Sequence, residues 1–176
     1  VSALVPYKRA DLAILAFNQL KYPLIIIGEG PEEKNLKKIA GKTIVFLPWQ
    51  AKEKLREYYS NCKALIFPAE EDFGIVPVEA QACGKPVIAY AKGGAKETVL
   101  GIFPAEKKPL TNQFSGVYFY PQTKEALIEA VKYLPKTEFE PIFIRENSLR
   151  FDQKVFKEKM KNYILDKLEE HQVNFK

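Results

Sequence analysis

The chain has 176 residues, of which 47% are hydrophobic and 28% charged, and its formal net charge is +5. This composition excludes a disordered chain, and the length suits one domain with a real core. No apolar run approaches the ~20 residues that a membrane-spanning helix needs, and two cysteines without a secretory signal favour a cytoplasmic protein.

Short apolar or β-branched runs recur along the chain and predict β-strands at 1–5, 24–28, 44–47, 64–67, 87–90 and 117–120. Most of them lack polar alternation, which is typical of strands that are covered on both faces. Helical stripes lie between them: Ala13, Ala16, Phe17 and Leu20; Leu55, Tyr58, Tyr59 and Cys62; Leu127, Ala130, Val131 and Leu134. This alternation predicts an α/β fold, a Rossmann-like doubly wound parallel sheet that forms a single domain over residues 1–176.

Two later segments complete the chain. Residues 101–115 have little pattern and predict a loop. Residues 152–171 predict one long helix, with an apolar stripe of Phe156, Met160, Tyr163, Ile164 and Leu168. We expect this stripe to pack on the domain itself or on a neighbouring domain, and a helix lying on a membrane surface stays the open alternative.

The sequence EEDFGIVPVEAQACGKP, residues 70–86, follows the fourth predicted strand. Pro77 suits the first turn of a helix, and Gly84 with Pro86 ends it, so we predict a helix over 76–83. In a parallel sheet, ligands bind beyond the carboxyl ends of the strands. The free amides of Gly74, Ile75 and Val76 at the helix N-terminus therefore predict an anion site, above all for phosphate.

Two carboxylates flank this anion site, at Glu71 and Glu79. Like charges repel, so these side chains are poor phosphate ligands but good acceptors for the hydroxyl groups of ribose or of a sugar. The arrangement favours a nucleotide-sugar ligand. The alternative, a solvated Glu71 and a merely exposed Glu79, stays open because the spacing alone carries little information.

Other cofactor motifs are weak or missing. GEGPEE, residues 28–33, resembles a dinucleotide-binding loop, but Glu33 stands where the third glycine of G-x-G-x-x-G is required. The sequence has no Cys/His cluster of the kind that binds a metal. We therefore expect neither a nicotinamide cofactor nor a metal, and we expect no nucleic-acid partner.

EDFGIVPVEAQACGKPVIAYAKGGAKETV, residues 71–99, resembles the E-x7-E signature of retaining glycosyltransferases of family 4, which have the GT-B fold. Residues 4–17, 28–40 and 114–131 resemble further segments of that family in the same order. The resemblance covers nearly all of the chain. It implies the C-terminal, donor-binding half of such an enzyme, and the segments PAEEDFGIVPVEAQACG and SALVPYKR are most similar to mannosyltransferase-type members.

The resemblance also implies roles around the anion site. Glu79 would hold the ribose hydroxyls, and Glu71 would contact the transferred sugar. Backbone amides would bind the sugar and the diphosphate, from Phe73, Gly74, Ile75 and Val76. Lys8 matches the family's lysine that neutralises the leaving diphosphate, so the expected catalytic residues are Glu71 and Lys8.

Further donor contacts are implied at the first three loops. Arg9 occupies the place of a usual glycine and would add positive charge. Gly28 and Gly30 would line the crevice, and the segment 47–50, with Pro48, would contact the base. Many relatives carry Gly-Arg before the first loop, where this chain has Ser2 and Ala3, so not every donor contact of the family carries over.

The implied function is the transfer of a hexose, mannose from GDP-mannose, to a glycan or lipid-linked acceptor, without a metal. A UDP- or ADP-hexose donor and a non-catalytic nucleotide-sugar-binding module remain alternatives. The chain begins at Val1 without an initiator Met, so we expect a piece of a longer protein whose N-terminal acceptor domain is absent, and no transfer by this piece alone. We expect a cytoplasmic location, with peripheral contact at the inner face of a membrane left open.

Overall fold

Strands and helices alternate along the computed structural model, which describes residues 1–105 and 113–173. The strands are β1 (Leu24–Ile27), β2 (Ile44–Leu47), β3 (Leu65–Phe67), β4 (Val87–Tyr90), β5 (Gly101–Ile102) and β6 (Gly116–Phe119). The helices are α1 (Ala10–Leu20), α2 (Glu33–Ile39), α3 (Lys52–Asn61), α4 (Ile75–Ala82), α5 (Ala95–Thr98), α6 (Lys124–Tyr133), α7 (Pro141–Leu149) and α8 (Gln153–Val173). Short 3₁₀ helices cover Pro6–Lys8 and Leu134–Lys136.

Every strand pairing in the described part of the chain is parallel. One sheet consists of β1 and β2, and the other has the order β3-β4-β6-β5. Helices connect β1 to β2, β2 to β3, β3 to β4 and β4 to β5, as the βαβ pattern of the sequence requires. The predicted α/β fold with a parallel sheet is confirmed.

The prediction of a strand at residues 1–5 is wrong, because no strand forms there. The N–H groups of Ser2 and Leu4 donate to the carbonyl oxygens of Ile27 (3.0 Å) and Glu29 (2.8 Å), whereas that of Val5 donates within the segment, to the carbonyl oxygen of Ala3 (3.1 Å). The segment therefore runs alongside only the end of β1 and the residues after it, which is too short an overlap for a ladder. Its close approach requires glycine: a Cβ atom at Gly28, where φ is +139°, would lie 1.9 Å from the Ser2 carbonyl oxygen.

Three predicted boundaries can be compared with the structure. The helix predicted over 76–83 forms as α4, one residue earlier, and the helix predicted over 152–171 forms as α8. The loop predicted over 101–115 is wrong at its start, because Gly101–Ile102 pairs with β6 as β5. A two-residue strand is too short to leave a periodic pattern in the sequence. Residues 106–112 of that stretch lie outside the described part.

The core lies on both faces of the parallel strands. One buried cluster joins β1, β2, β4 and β6 to α1 and α6, and it includes Ile14, Phe17, Ile88 and Leu127. The other joins β3 and β4 to α3 and α4, with Tyr59, Phe67 and Ala80. The predicted stripes on α1 and α6 are largely buried, whereas on α3 only Tyr59 is fully buried.

The apolar stripe of α8 is exposed along its length: Phe156, Met160, Tyr163, Ile164 and Leu168. The expectation that this stripe packs on the domain itself is therefore wrong. Packing on a neighbouring domain and contact with a membrane surface both stay predictions. None of the helices in the described ranges combines the length and apolar character that crossing a membrane requires.

Candidate functional site

The N-terminus of α4 lies at the carboxyl end of the second sheet, directly after β3. Gly74 precedes the helix with φ +80°, and no side chain caps the helix at this residue. A Cβ atom at Gly74 would lie 3.1 Å from the ring of Phe67, so the position suits glycine in both conformation and space. The amides of Ile75 and Val76 belong to the first turn and have no partner inside the helix. The structure thus brings the amides of Gly74, Ile75 and Val76 together at the N-terminus of α4, where the sequence predicts an anion site.

Lys8 and Glu71 form an ion pair between two loops that are 63 residues apart in the sequence. Lys8 Nζ donates to Glu71 Oε1, and the two side chains keep only 16% and 19% of their surface exposed. Both predicted catalytic residues therefore meet in one partly buried pair. In this pair, each charge satisfies the other, and a bound anion would compete with Glu71 for the ammonium group.

The loop that carries Glu71 is held by two glycines after β4. The N–H of Gly94 donates to the carbonyl oxygen of Glu71 over 2.7 Å. A Cβ atom at Gly93 would lie 2.4 Å from that oxygen, and one at Gly94 would lie 2.2 Å from the carbonyl oxygen of Asp72. Sequence reasoning gave this glycine pair no role, although its position directly after a buried strand was an available signal.

Arg9 is anchored away from Lys8. Its backbone is left-handed, with φ +53°, which explains why glycine suits this position. Its guanidinium group donates to both carboxylate oxygens of Asp11, at 3.1 and 3.2 Å, and to Gln122 Oε1 at 3.2 Å. Gln122 in turn donates to the carbonyl oxygen of Pro68 over 2.8 Å, which ties the loop after β6 to the loop after β3. Sequence reasoning missed Gln122.

Glu79 lies one turn inside α4, exposed, and accepts a 2.9 Å hydrogen bond from the hydroxyl of Tyr59. Burial, and then the charge of Glu79, raise the pKa of Tyr59 far above its ordinary value, so this hydroxyl remains a donor. The α-amino group of Val1 lies close enough to Glu79 to interact with its charge. Burial lowers the pKa of this amino group to about 6.

A cavity of about 490 Å³ opens between the N-terminal segment, the end of β1 and the loop after β2. Its lining includes Gly28, Trp49 and Gln50, and the Trp49 side chain is 73% exposed. The other two predicted crevice residues are elsewhere: Gly30 packs against the backbone of Leu4, and Pro48 is exposed and lies outside the lining. Trp49 is the aromatic side chain that this loop offers to a ligand.

Phe73 points towards the end of α7. Its ring packs edge to face against Phe151, with 5.4 Å between the ring centroids. The side chain is still 41% exposed. Its contact with Phe151 holds the loop just before Gly74, and the predicted donor contact through the Phe73 backbone amide stays a prediction.

Parallel strands, loops gathered at their carboxyl ends and a helix N-terminus without a side-chain cap are typical of α/β domains of the nucleotide- and phosphate-binding class. The match to known proteins is more specific. Residues 1–147 match the family described as "Glycosyl transferases group 1", and the chain belongs to this family.

Three curated relatives are glycosyltransferases by name. The chain is 33% identical over 105 residues to an uncharacterized glycosyltransferase of Methanocaldococcus jannaschii, covering 57% of this chain and 30% of that protein. It is 35% identical over 107 residues to a D-inositol 3-phosphate glycosyltransferase of Mycobacteroides abscessus, covering 53% and 24%. It is 34% identical over 118 residues to a GDP-mannose-dependent alpha-(1-6)-phosphatidylinositol monomannoside mannosyltransferase of Mycolicibacterium smegmatis, covering 57% and 31%.

Two solved structures share the fold over nearly the whole chain. HepE of Anabaena, in complex with UDP and glucose, has a TM-score of 0.69 at 23% identity, with 96% of this chain and 46% of that chain covered. The lipopolysaccharide outer core galactosyltransferase WaaB has a TM-score of 0.75 at 17% identity, covering 94% and 48%. The chain thus spans under half the length of these proteins. The predicted fold, one half of a GT-B glycosyltransferase, is confirmed.

Proposed function

We propose that the chain is the donor-binding domain of a retaining glycosyltransferase, which transfers a hexose from a nucleotide-sugar to a glycan or lipid-linked acceptor. One observation carries this proposal: the pair of Lys8 and Glu71 lies in the loops beside the N-terminus of α4, which has no side-chain cap. Cationic and acidic side chains next to free amides suit a ligand that combines phosphate with hydroxyl groups.

Breaking the bond between the anomeric carbon and the diphosphate leaves the bonding electrons on the diphosphate. Lys8 and the amides of Gly74, Ile75 and Val76 would stabilise the charge that develops there. When Lys8 turns to the diphosphate, the carboxylate of Glu71 becomes free to accept hydrogen bonds from the sugar. The acceptor oxygen then bonds to the anomeric carbon and transfers its proton to the oxygen of the departing diphosphate.

The nucleoside would extend from α4 towards the 490 Å³ cavity. Glu79 would accept both hydroxyls of the ribose, and Tyr59 holds this carboxylate by its 2.9 Å hydrogen bond. Trp49 and Gly28 line the cavity in which the base would lie. Tyr59 is thus a positioning residue, whereas Glu79 is a contact residue.

For the donor we propose GDP-mannose, used without a metal by an enzyme of the cytoplasm. The name of the mycobacterial mannosyltransferase relative supports this choice. UDP-hexose is the second candidate, because the HepE structure holds UDP and glucose. A non-catalytic nucleotide-sugar-binding module would keep the donor contacts, but it would have no need of the Lys8–Glu71 pair.

Calorimetric titration of the purified chain with GDP, UDP and ADP tests the proposal. We expect a nucleoside diphosphate to bind, and Lys8→Met to weaken it about tenfold, which is about 1.4 kcal/mol. Lys132→Met on α6 is the matched control, because this lysine is exposed and distant in sequence from every residue of the site. A folded chain that binds none of the three, or Lys8→Met binding as well as Lys132→Met, would refute the proposal.

A further inference from the structure

Two contacts join the loop that carries Lys8 to the loop that carries Glu71. One is the direct ion pair of these two side chains. The other passes through Gln122, in the loop after β6. Arg9 donates to Gln122 Oε1 over 3.2 Å, and Gln122 Nε2 donates over 2.8 Å to the carbonyl oxygen of Pro68. Arg9 directly follows Lys8, and Pro68 begins the loop after β3. The contacts of Gln122 therefore form a bridge between the same two loops as the ion pair.

The Gln122 bridge is held at each of its parts. The guanidinium group of Arg9 also donates to both carboxylate oxygens of Asp11, at 3.1 and 3.2 Å, which fixes its direction. The amide of Gln122 is used at both ends, as an acceptor from Arg9 and as a donor to Pro68. Pro68 is buried, and a buried carbonyl oxygen requires a donor. Arg9 has a left-handed backbone, with φ +53°, and its three hydrogen bonds offset the cost of that conformation.

A bound donor would affect the two contacts differently. In the proposed function, on which this inference rests, Lys8 turns from Glu71 to the diphosphate, and the direct ion pair opens. The Gln122 bridge uses neither of these two side chains, so it stays closed when the pair opens. In the free chain both contacts hold the loops together, whereas in the donor-bound chain the bridge is the contact that persists.

We propose that Gln122 is a positioning residue, whose side chain holds the Lys8 loop against the Glu71 loop while the donor separates the ion pair. The bridge keeps the ammonium group of Lys8 and the amides at the N-terminus of α4 directed at the same diphosphate. Groups that are already in place need no ordering when the ligand binds, which favours affinity. Removing the bridge should therefore lower affinity for a nucleoside diphosphate more than it lowers the stability of the free chain, in which the ion pair still joins the loops.

The first test compares affinity with stability. Gln122→Met keeps the length of the side chain and removes both hydrogen bonds, and Gln153→Met at an exposed position of α8 is the matched control. The ligand is whichever of GDP, UDP and ADP the unmodified chain binds most tightly in calorimetric titration. We expect Gln122→Met to weaken its binding about tenfold and to lower the melting temperature by less than about 3 °C. A residue with a merely structural role would show the reverse, a lower melting temperature and unchanged affinity of the folded chain.

The second test needs no ligand. The N–H of Gly94 donates to the carbonyl oxygen of Glu71, so its hydrogen exchange reports on the Glu71 loop. Lys8→Met opens the ion pair by itself. We expect exchange at Gly94 to rise less than about threefold in Lys8→Met or in Gln122→Met, and at least about tenfold in the double variant, with Ile88 in β4 as the internal control.

The proposal fails if Gln122→Met binds the nucleoside diphosphate as tightly as Gln153→Met does. It also fails if the double variant exchanges at Gly94 no faster than Lys8→Met. If the unmodified chain binds none of the three nucleoside diphosphates, the proposed function is refuted, and the exchange at Gly94 alone decides whether Gln122 holds the two loops together.

Discussion

The hydroxyl of Tyr59 donates a 2.9 Å hydrogen bond to Oε2 of Glu79 and so joins α3 to α4. Tyr59 is buried, while Glu79 is exposed at the surface of α4. The bond fixes one carboxylate oxygen and leaves the other available to a ligand. A residue that the sequence places in a core stripe therefore also orients a candidate donor contact.

Tyr59→Phe removes this hydrogen bond while keeping the ring. We expect nucleoside diphosphate affinity to fall about threefold to tenfold, because a hydrogen bond of this kind contributes roughly 0.5–1.5 kcal/mol. Calorimetry gives the affinity, with Tyr58→Phe as the control on the same helix. Equal affinities for the two variants would show that Tyr59 does not position Glu79 for binding.

Much of the fold could be predicted because its signals are local. Uninterrupted apolar strands indicate a parallel sheet, and Pro77 with Gly84 delimits α4 to within one residue. The side-chain contacts of the site were harder to predict from the sequence, since Lys8 and Glu71 are 63 residues apart. No local pattern reports such a pairing. The family resemblance does indicate that Lys8 and Glu71 lie close together, because it implies that both contact the same ligand.

The wrong predictions, for residues 1–5 and for the stripe on α8, also arise because contacts between distant parts of the chain leave no local pattern. Residues 1–5 have strand-like composition, but a strand also requires a partner along its length, and here only Ser2 and Leu4 find one on the β1 side. The stripe on α8 has core-like spacing, yet spacing does not say which surface covers it. Trp49 entered the predicted site only as part of the segment 47–50, and nothing in its own side chain indicated that it would line the cavity. Tertiary context decided each of these cases.

A buried polar network holds α4 against α7. The amide of Asn147 donates to Gln81 Oε1 over 2.6 Å and to the carbonyl of Thr98 over 3.0 Å. Asn147→Ala would leave the Gln81 oxygen buried without this donor, so we expect the free energy of unfolding to fall by about 1–3 kcal/mol. Urea denaturation measures it. Asn61→Ala, at an exposed position, should change stability by less than about 0.5 kcal/mol.

The stability of the 176-residue chain should rise between pH 6 and pH 8. The ordinary pKa of an α-amino group is 8.0, and burial lowers that of Val1 to about 6. Across this window the unfolded chain binds more protons than the folded one, so the free energy of unfolding increases with pH. The full change is about 2–3 kcal/mol, complete above pH 8 and lost below pH 6.

Denaturation at several pH values measures this change, on protein released from a tag so that Val1 is the first residue. Acetylation of the α-amino group should abolish the rise. The His171→Gln variant must retain the rise, because His171 lies in α8, at the opposite end of the sequence from Val1. If acetylated and unmodified chains show the same pH dependence, the buried amine is not its source.

Donor preference provides a separate prediction. We expect GDP-mannose to bind more tightly than UDP-glucose or ADP-glucose, because SALVPYKR and the segment around Glu71 are most similar to mannosyltransferase-type members. Competitive titration of the three donors against one chain decides this, with Trp49→Ala to report whether the base lies in the 490 Å³ cavity. A clear preference for UDP-glucose would assign the chain to the second candidate.

The two glutamates that flank the anion site should differ in what they bind. If Glu79 holds the ribose, Glu79→Gln should weaken both the bare nucleoside diphosphate and the full donor. Losing charge-assisted hydrogen bonds to a diol costs on the order of 1–3 kcal/mol, or roughly 5-fold to 150-fold in affinity. The loss should appear equally in both titrations, because the ribose is common to both ligands.

Glu71→Gln should behave differently. It frees Lys8 from its partner and removes one negative charge beside the phosphate site, so the bare nucleoside diphosphate should bind about as well as before. The cost should appear only with the full donor, whose sugar hydroxyls lose an acceptor. Glu70→Gln is the matched control, since Glu70 is exposed and faces Lys92 at 3.7 Å. If Glu71→Gln impairs binding of the bare diphosphate as strongly as Glu79→Gln does, the two carboxylates share one role, and the assignment of Glu71 to the sugar is wrong.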